Sequence, residues 1–177
     1  MTHTTIPTND IKKSNSTKAK ELQQRTQGLM MFLGALADGL ETISGKGADA
    51  TCFSSGQMVG LAHPIQHTER SIDATLIAVR NEMQKMGIDW PFDSDYHHQH
   101  APANNESTID LPFKNCVVRC TLFRYGFPQG KSLCQTKHGL FCGLFERISG
   151  IPADLDIVHP GENACLLRLK IHSTGQN

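Results

Sequence analysis

The sequence predicts an α+β domain in which an antiparallel sheet packs with helices, and three observations carry that expectation. Long stretches keep apolar residues three and four apart, the period of amphipathic helices. The C-terminal stretch from Ala164 to His172 alternates apolar and polar residues, the period of a half-buried strand. The turn Pro160-Gly161-Glu162-Asn163 stands just before it and predicts a hairpin. At 177 residues the chain reads as one domain with room for a substantial core.

Taken in order, residues 1–16 are mostly polar and predict a disordered arm ahead of a single domain over 17–177. A long helix is expected from Thr17 to Ile43, where Leu22, Leu29, Leu33, Leu36, Leu40 and Ile43 keep mostly to a three-four spacing. Met30, Met31 and Phe32 widen its apolar side past one stripe. A helix apolar over so much surface usually has neighbours on two sides. The core is one; the other is either more of that same core, with the helix wholly intramolecular, or a second copy of the chain in a homodimer. Ser44 to Gly47 ends this helix. Ala48 to Phe53 then reads as a short strand and Ser54-Ser55-Gly56 as a turn. Residues 57–61 stay open between strand and short helix. Gly45, Gly47, Gly56 and Gly60 match no phosphate-binding fingerprint, and structural turns are their expected use.

Ser71 is the expected N-cap of a second helix, Ile72 to Met86, ended by Gly87. Ile88 to Phe92 reads as a strand holding Trp90. A polar connector is expected over 93–110, long enough to be either mobile or functional. Asn115 to Phe123 is rich in β-branched and aromatic residues and reads as a strand, broken by Gly126, Pro128 and Gly130. On an extended segment Cys116 and Cys120 would share a face about 13 Å apart. A third helix is expected from Thr136, its N-cap, to Ile148, with Leu140, Phe141, Leu144, Phe145 and Ile148 on one face. Ser149-Gly150 and Pro152 end it. In the closing strand Cys165, Leu167, Leu169 and Ile171 point one way.

Composition narrows the function. Lysine plus arginine equals aspartate plus glutamate, so the formal charge is zero. Nothing suggests electrostatic capture of nucleic acid, and no direct nucleic-acid partner is expected. No apolar run is long enough for a membrane span. The N-terminus lacks the apolar segment of a signal peptide, so a reducing cytoplasm is the expected setting. There, cysteines read as thiols, metal ligands or redox groups before disulfides.

Cys116, Cys134 and Cys165 are the candidate metal ligands, for zinc or an iron–sulfur cluster. They lie in separate elements that a fold can bring together. No close CxxC pair supports them, and small buried thiols are the plainer alternative. Cys134, placed just before a helix, would have its thiolate favoured by the unpaired N–H groups there. His138 beside it offers a thiol–imidazole pair for nucleophilic catalysis, a further alternative. His97, His98 and His100 in the connector are another source of ligands. The larger candidate surface is apolar: Met30, Phe32, Met58, Met83, Trp90, Phe141 and Phe145 are the expected ligand-binding residues. Methionine-rich linings adapt to guest shape, and small-molecule pockets are mostly apolar.

Two patches carry a family resemblance. Gly47-Ala48-Asp49-Ala50-Thr51-Cys52-Phe53-Ser54-Ser55-Gly56 with Gly60, then Gly87-Ile88-Asp89-Trp90, form the first. Cys116, the Cys134 loop, Gly139, Gly143 and the stretch Gly161 to Ile171 form the second. Together they resemble the 4-vinyl reductase, or hydrocarbon-binding, domain family, which shares its fold with the TRAPP vesicle-tethering subunits. The resemblance implies dimers through long helices, an apolar pocket and a cysteine-lined metal site. It departs in one respect: Asp154 to His159 offers no cysteine, leaving only Cys165 at the later position, with Asp156 and His159 as conjectural substitutes. Cys116, Cys134 and Cys165 also resemble, in part, the cysteine triplet of iron–sulfur repressors, without the DNA-binding half.

The resulting expectation is a sensor or carrier domain for a small hydrophobic ligand, with tetrapyrroles and aromatic compounds among the candidates, and with a cysteine metal site beside it. An iron–sulfur or zinc redox sensor, an enzyme using Cys134 and His138, and a tethering scaffold are the alternatives.

Overall fold

The structure is a computed structural model and describes residues 8–65, 68–69, 71–93, 99–103, 106–161 and 164–172. Among them the chain runs α1 (Thr8–Ser44), α2 (Gly47–Ala62), α3 (Ile72–Lys85), β1 (Gln99–Ala103), β2 (Glu106–Lys114), α4 (Val117–Tyr125), α5 (Ser132–Ser149), β3 (Ala153–Pro160) and β4 (Ala164–His172). The strands form one antiparallel sheet in the order β1-β2-β4-β3. This is the α+β class expected from the sequence.

The closing strand pairs with β3 as a hairpin and shows the expected alternation. Leu167, Leu169 and Ile171 are buried, and β4 pairs with β2 from Lys114↔Ala164 to Glu106↔His172. The opposite face of the sheet carries charge. Arg168 grips Asp110 with two hydrogen bonds of 2.7 and 2.8 Å, Lys170 pairs with Asp156 at 2.5 Å, and His172 meets Asp154 at 2.9 Å. Against the inner face lies α5, whose Leu140, Phe141, Leu144, Phe145 and Ile148 are all buried. Ser71 caps α3 as expected, its Oγ accepting from the Ala74 N–H at 3.1 Å, and Gly87 follows with a positive φ of 78°.

Several local expectations are corrected. Residues 48–53 and 54–56 are neither strand nor turn but part of α2. This helix presents Ala48, Cys52, Gly56 and Gly60 at intervals of four residues, a stripe of small side chains. Gly56 and Gly60 meet Gly139 and Gly143 of α5, and the two backbones nearly touch. A β-carbon on Gly56 would fall onto the Thr136 carbonyl, and one on Gly139 onto the Phe53 carbonyl. These glycines serve a helix crossing and no turn.

The stretch 117–123 is helical, so Cys116 is a helix N-cap and Cys120 stands one turn on, exposed. Val118 and Leu122, four apart, are both buried, and Gly126 ends the helix in the left-handed region. Packing of that one face overrides the β preference of Val117, Val118 and Thr121. The fifth helix begins at Ser132, so Thr136 is no N-cap; its hydroxyl donates to the Ser132 carbonyl at 3.0 Å inside the helix. The expected connector contains β1 and most of β2, while His97 and His98 lie outside the described residues. The expected strand around Trp90 is reduced to one bridge, Phe92 to Phe113. Finally, α1 begins at Thr8, ahead of the expected Thr17, and residues 1–7 lie outside the described residues.

Candidate functional site

Two hollows meet at one side chain. The smaller is a narrow, partly open cavity of about 20 Å³ between the N-terminal ends of α4 and α5 and the start of β4. Cys116, the N-cap of α4, Cys134, in the first turn of α5, and Cys165, near the start of β4, all line it. The fold thus gathers the three cysteines singled out in the sequence. Register explains the third: Cys165 faces Phe113 of β2 and Pro160 of β3 across the ladder.

Two cations join the thiols. Lys137 is 7% exposed and Arg119 is 4% exposed. The Lys137 ammonium donates to Cys116 Sγ at 2.5 Å and stands 3.6 Å from the centre of the Trp90 ring. A lysine over an indole face is held by the ring quadrupole. Among the described residues no carboxylate pairs with Lys137. The Arg119 backbone N–H also donates to Cys116 Sγ, at 3.5 Å, as a cap should. Three buried side-chain nitrogens have no hydrogen-bond partner among the described residues: Trp90 Nε1, Arg119 Nε and His138 Nδ1. All three residues line this cavity.

Burial shapes the acid–base chemistry. It pushes the Cys134 and Cys165 thiols up, against the nearby positive charge of Lys137. Burial, with Lys137 beside it, holds His138 down at about 3. Cys134 therefore does not take the thiolate role that its helix start suggested, because desolvation outweighs the helix end. Among the described residues no three His, Cys, Asp or Glu side chains stand close enough to hold one metal ion. The thiols suit zinc or a cluster chemically, and the Lys137 ammonium stands 2.5 Å from Cys116 Sγ, a contact a metal bound there would have to compete with. Asp156 is exposed and bound to Lys170, away from Cys165, and His159 is exposed at the sheet rim.

The larger hollow is an open groove of about 490 Å³ between α1, α2, α4 and α5. Met30, Leu33, Val59, Ile88, Val118 and Leu140 give it apolar walls, with Lys137 the one charged lining residue among those described. Of the expected ligand-binding residues, Met30 lines this groove. Trp90 lines the thiol cavity; Met83, Phe141 and Phe145 are packed in the core; Phe32 and Met58 are exposed on α1 and α2.

Lys137 and Arg119 went unread in the sequence. Lys137 carried a signal: it lies four residues before Phe141 and seven before Leu144, on the buried face of an apolar helix. Arg119 carried none while its segment read as a strand. In comparisons with known proteins, no protein-family model matches the chain and no curated protein matches it.

Proposed function

We propose that this chain is a binding domain for a small hydrophobic ligand, a sensor or carrier of the 4-vinyl-reductase-like type, and that the groove between α1, α2 and α5 is its site. The observation that carries this reading is the groove itself: about 490 Å³, within the usual range of small-molecule sites, walled by aliphatic side chains. The buried Lys137 at its edge gives the guest a polar anchor. All six cysteines are free, which suits the reducing cytoplasm. No described helix is long and apolar enough to cross a membrane.

The chain acts as a homodimer in this reading. Leu22, Leu29, Leu36 and Ile43 recur every seven residues along α1, and all are exposed. A seven-residue repeat is the seam of paired helices. The rival reading, a zinc or iron–sulfur centre on Cys116, Cys134 and Cys165, requires Lys137 to swing away from Cys116.

Native mass spectrometry of the purified chain tests both. A bound apolar guest, or saturable binding of a hydrophobic fluorescent dye, supports the groove. Val59→Trp, at an exposed helix position, fills the groove without disturbing the core and should weaken dye binding at least tenfold. Undiminished binding in that variant would remove the groove from consideration. One zinc or cluster per chain, lost in Cys165→Ser, would favour the metal reading.

A further inference from the structure

The groove reading uses one side of Lys137 and leaves the thiol cavity unexplained. Within that cavity Cys116 is the sulfur most directly served. It receives the Lys137 ammonium and the Arg119 backbone N–H, and it caps the N-terminus of the nine-residue α4. An ammonium, a backbone donor and a helix start are the surroundings in which a cysteine reacts as a nucleophile. The cavity's 20 Å³ admits a guest of only one or two heavy atoms. Its lining supplies buried nitrogens without partners among the described residues, and Arg119 Nε–H and Trp90 Nε1–H can only donate. The fitting guest is therefore small and rich in lone pairs.

We propose that this cavity is a peroxide-reactive modification site, in which Cys116 Sγ and Lys137 Nζ become covalently joined. The Cys116 thiolate attacks one oxygen of hydrogen peroxide and the O–O bond breaks. The departing hydroxide takes a proton from the Lys137 ammonium and leaves as water. Cys116 is now a sulfenic acid beside a neutral amine. The amine lone pair attacks sulfur, an S–N bond forms, and the S–O bond breaks. The second hydroxide takes the amine's spare proton and leaves as water. Sulfur gives up two electrons, peroxide accepts two, and the two side chains end as an uncharged sulfenamide. Because Lys137 also lines the groove, bridging removes the groove's buried positive charge. That consequence rests on the groove being the ligand site; the bridge does not.

The test is peptide mapping of the intact chain after brief exposure to hydrogen peroxide. The expected product is a peptide pair joined through Cys116 and Lys137, lighter by about 2 Da and reopened by dithiothreitol. Lys137→Arg abolishes it, and the double variant Cys134→Ser, Cys165→Ser retains it. The wild-type map decides the matter even where a variant fails to fold. A disulfide from Cys116 to Cys134 or Cys165, or Cys116 oxidised to sulfinic acid beside a free Lys137, overturns the proposal. Unchanged dye affinity in fully bridged protein would sever the link to the groove and leave the bridge standing.

Discussion

His138 is 3% exposed, lies parallel to Trp90 with ring centres 5.8 Å apart, and keeps Nδ1 without a partner among the described residues. Burial first, and the charge of Lys137 second, hold its pKa down at about 3, against an ordinary 6.5. The unfolded chain therefore binds a proton below about pH 6.5, and the folded protein only near 3. Between those values the unfolded state holds more protons, so stability is complete above 6.5 and falls as pH drops towards 3. From pH 7 to 5 this one residue removes about 2 kcal/mol. His138→Leu should flatten that part of the slope. Urea midpoints at the two pH values check it; an equal loss in wild type and variant would show that the dependence arises elsewhere. The same burial makes His138 a poor general base for Cys134, whose thiol is itself pushed up.

Among the elements, the crossing of α2 and α5 admits the least change. Gly139→Ala would drive a methyl group into the Phe53 carbonyl, backbone against backbone, with no flexible side chain to yield. A loss of about 3 kcal/mol is expected, readable as a lower urea midpoint. Gly28→Ala on α1 is the matching control: nothing stands within 4 Å of its β-carbon position, so helix preference should make it neutral or stabilising by up to about 1 kcal/mol. Equal effects at both positions would mean that the crossing is loose. This crossing also shows what was legible. The β3–β4 hairpin, α3 and the buried face of α5 could be read because each repeats large apolar residues at its own period. Helix α2 could not, because its packing face is made of alanine, cysteine and glycine, and absence of bulk leaves no hydrophobic stripe to find. Helix α4 misled because Val117, Val118 and Thr121 favour strands locally, while the deciding contacts come from elements distant in sequence. The three cysteines were legible as a set. The cations among them were not, since a buried lysine or arginine is seen only once its helix has been placed.

For the whole molecule, the decisive feature is that α1 has two apolar sides and the described residues cover one. Met30 and Gly34 face inward, Gly34 so closely that a β-carbon there would meet the Phe127 ring at 2.8 Å. On the other side Leu29, Phe32, Leu36 and Ile43 remain between 55 and 86% exposed. Leu33 sits between the two sides and lines the groove, so a second copy laid along the stripe would stand beside the groove mouth. Dimerisation and ligand enclosure would then be one event, and a guest would bind the dimer more tightly than the monomer. Leu29→Glu with Leu36→Glu places two charges on that exposed stripe without touching the thiol cavity. The expected result is a monomer by native mass spectrometry at micromolar concentration, with hydrophobic dye released at least tenfold faster. Val59→Trp should do the reverse, blocking the dye while the dimer persists. Wild-type protein that is monomeric under the same conditions, or dye release indifferent to the double variant, would show that the stripe and the groove are independent features.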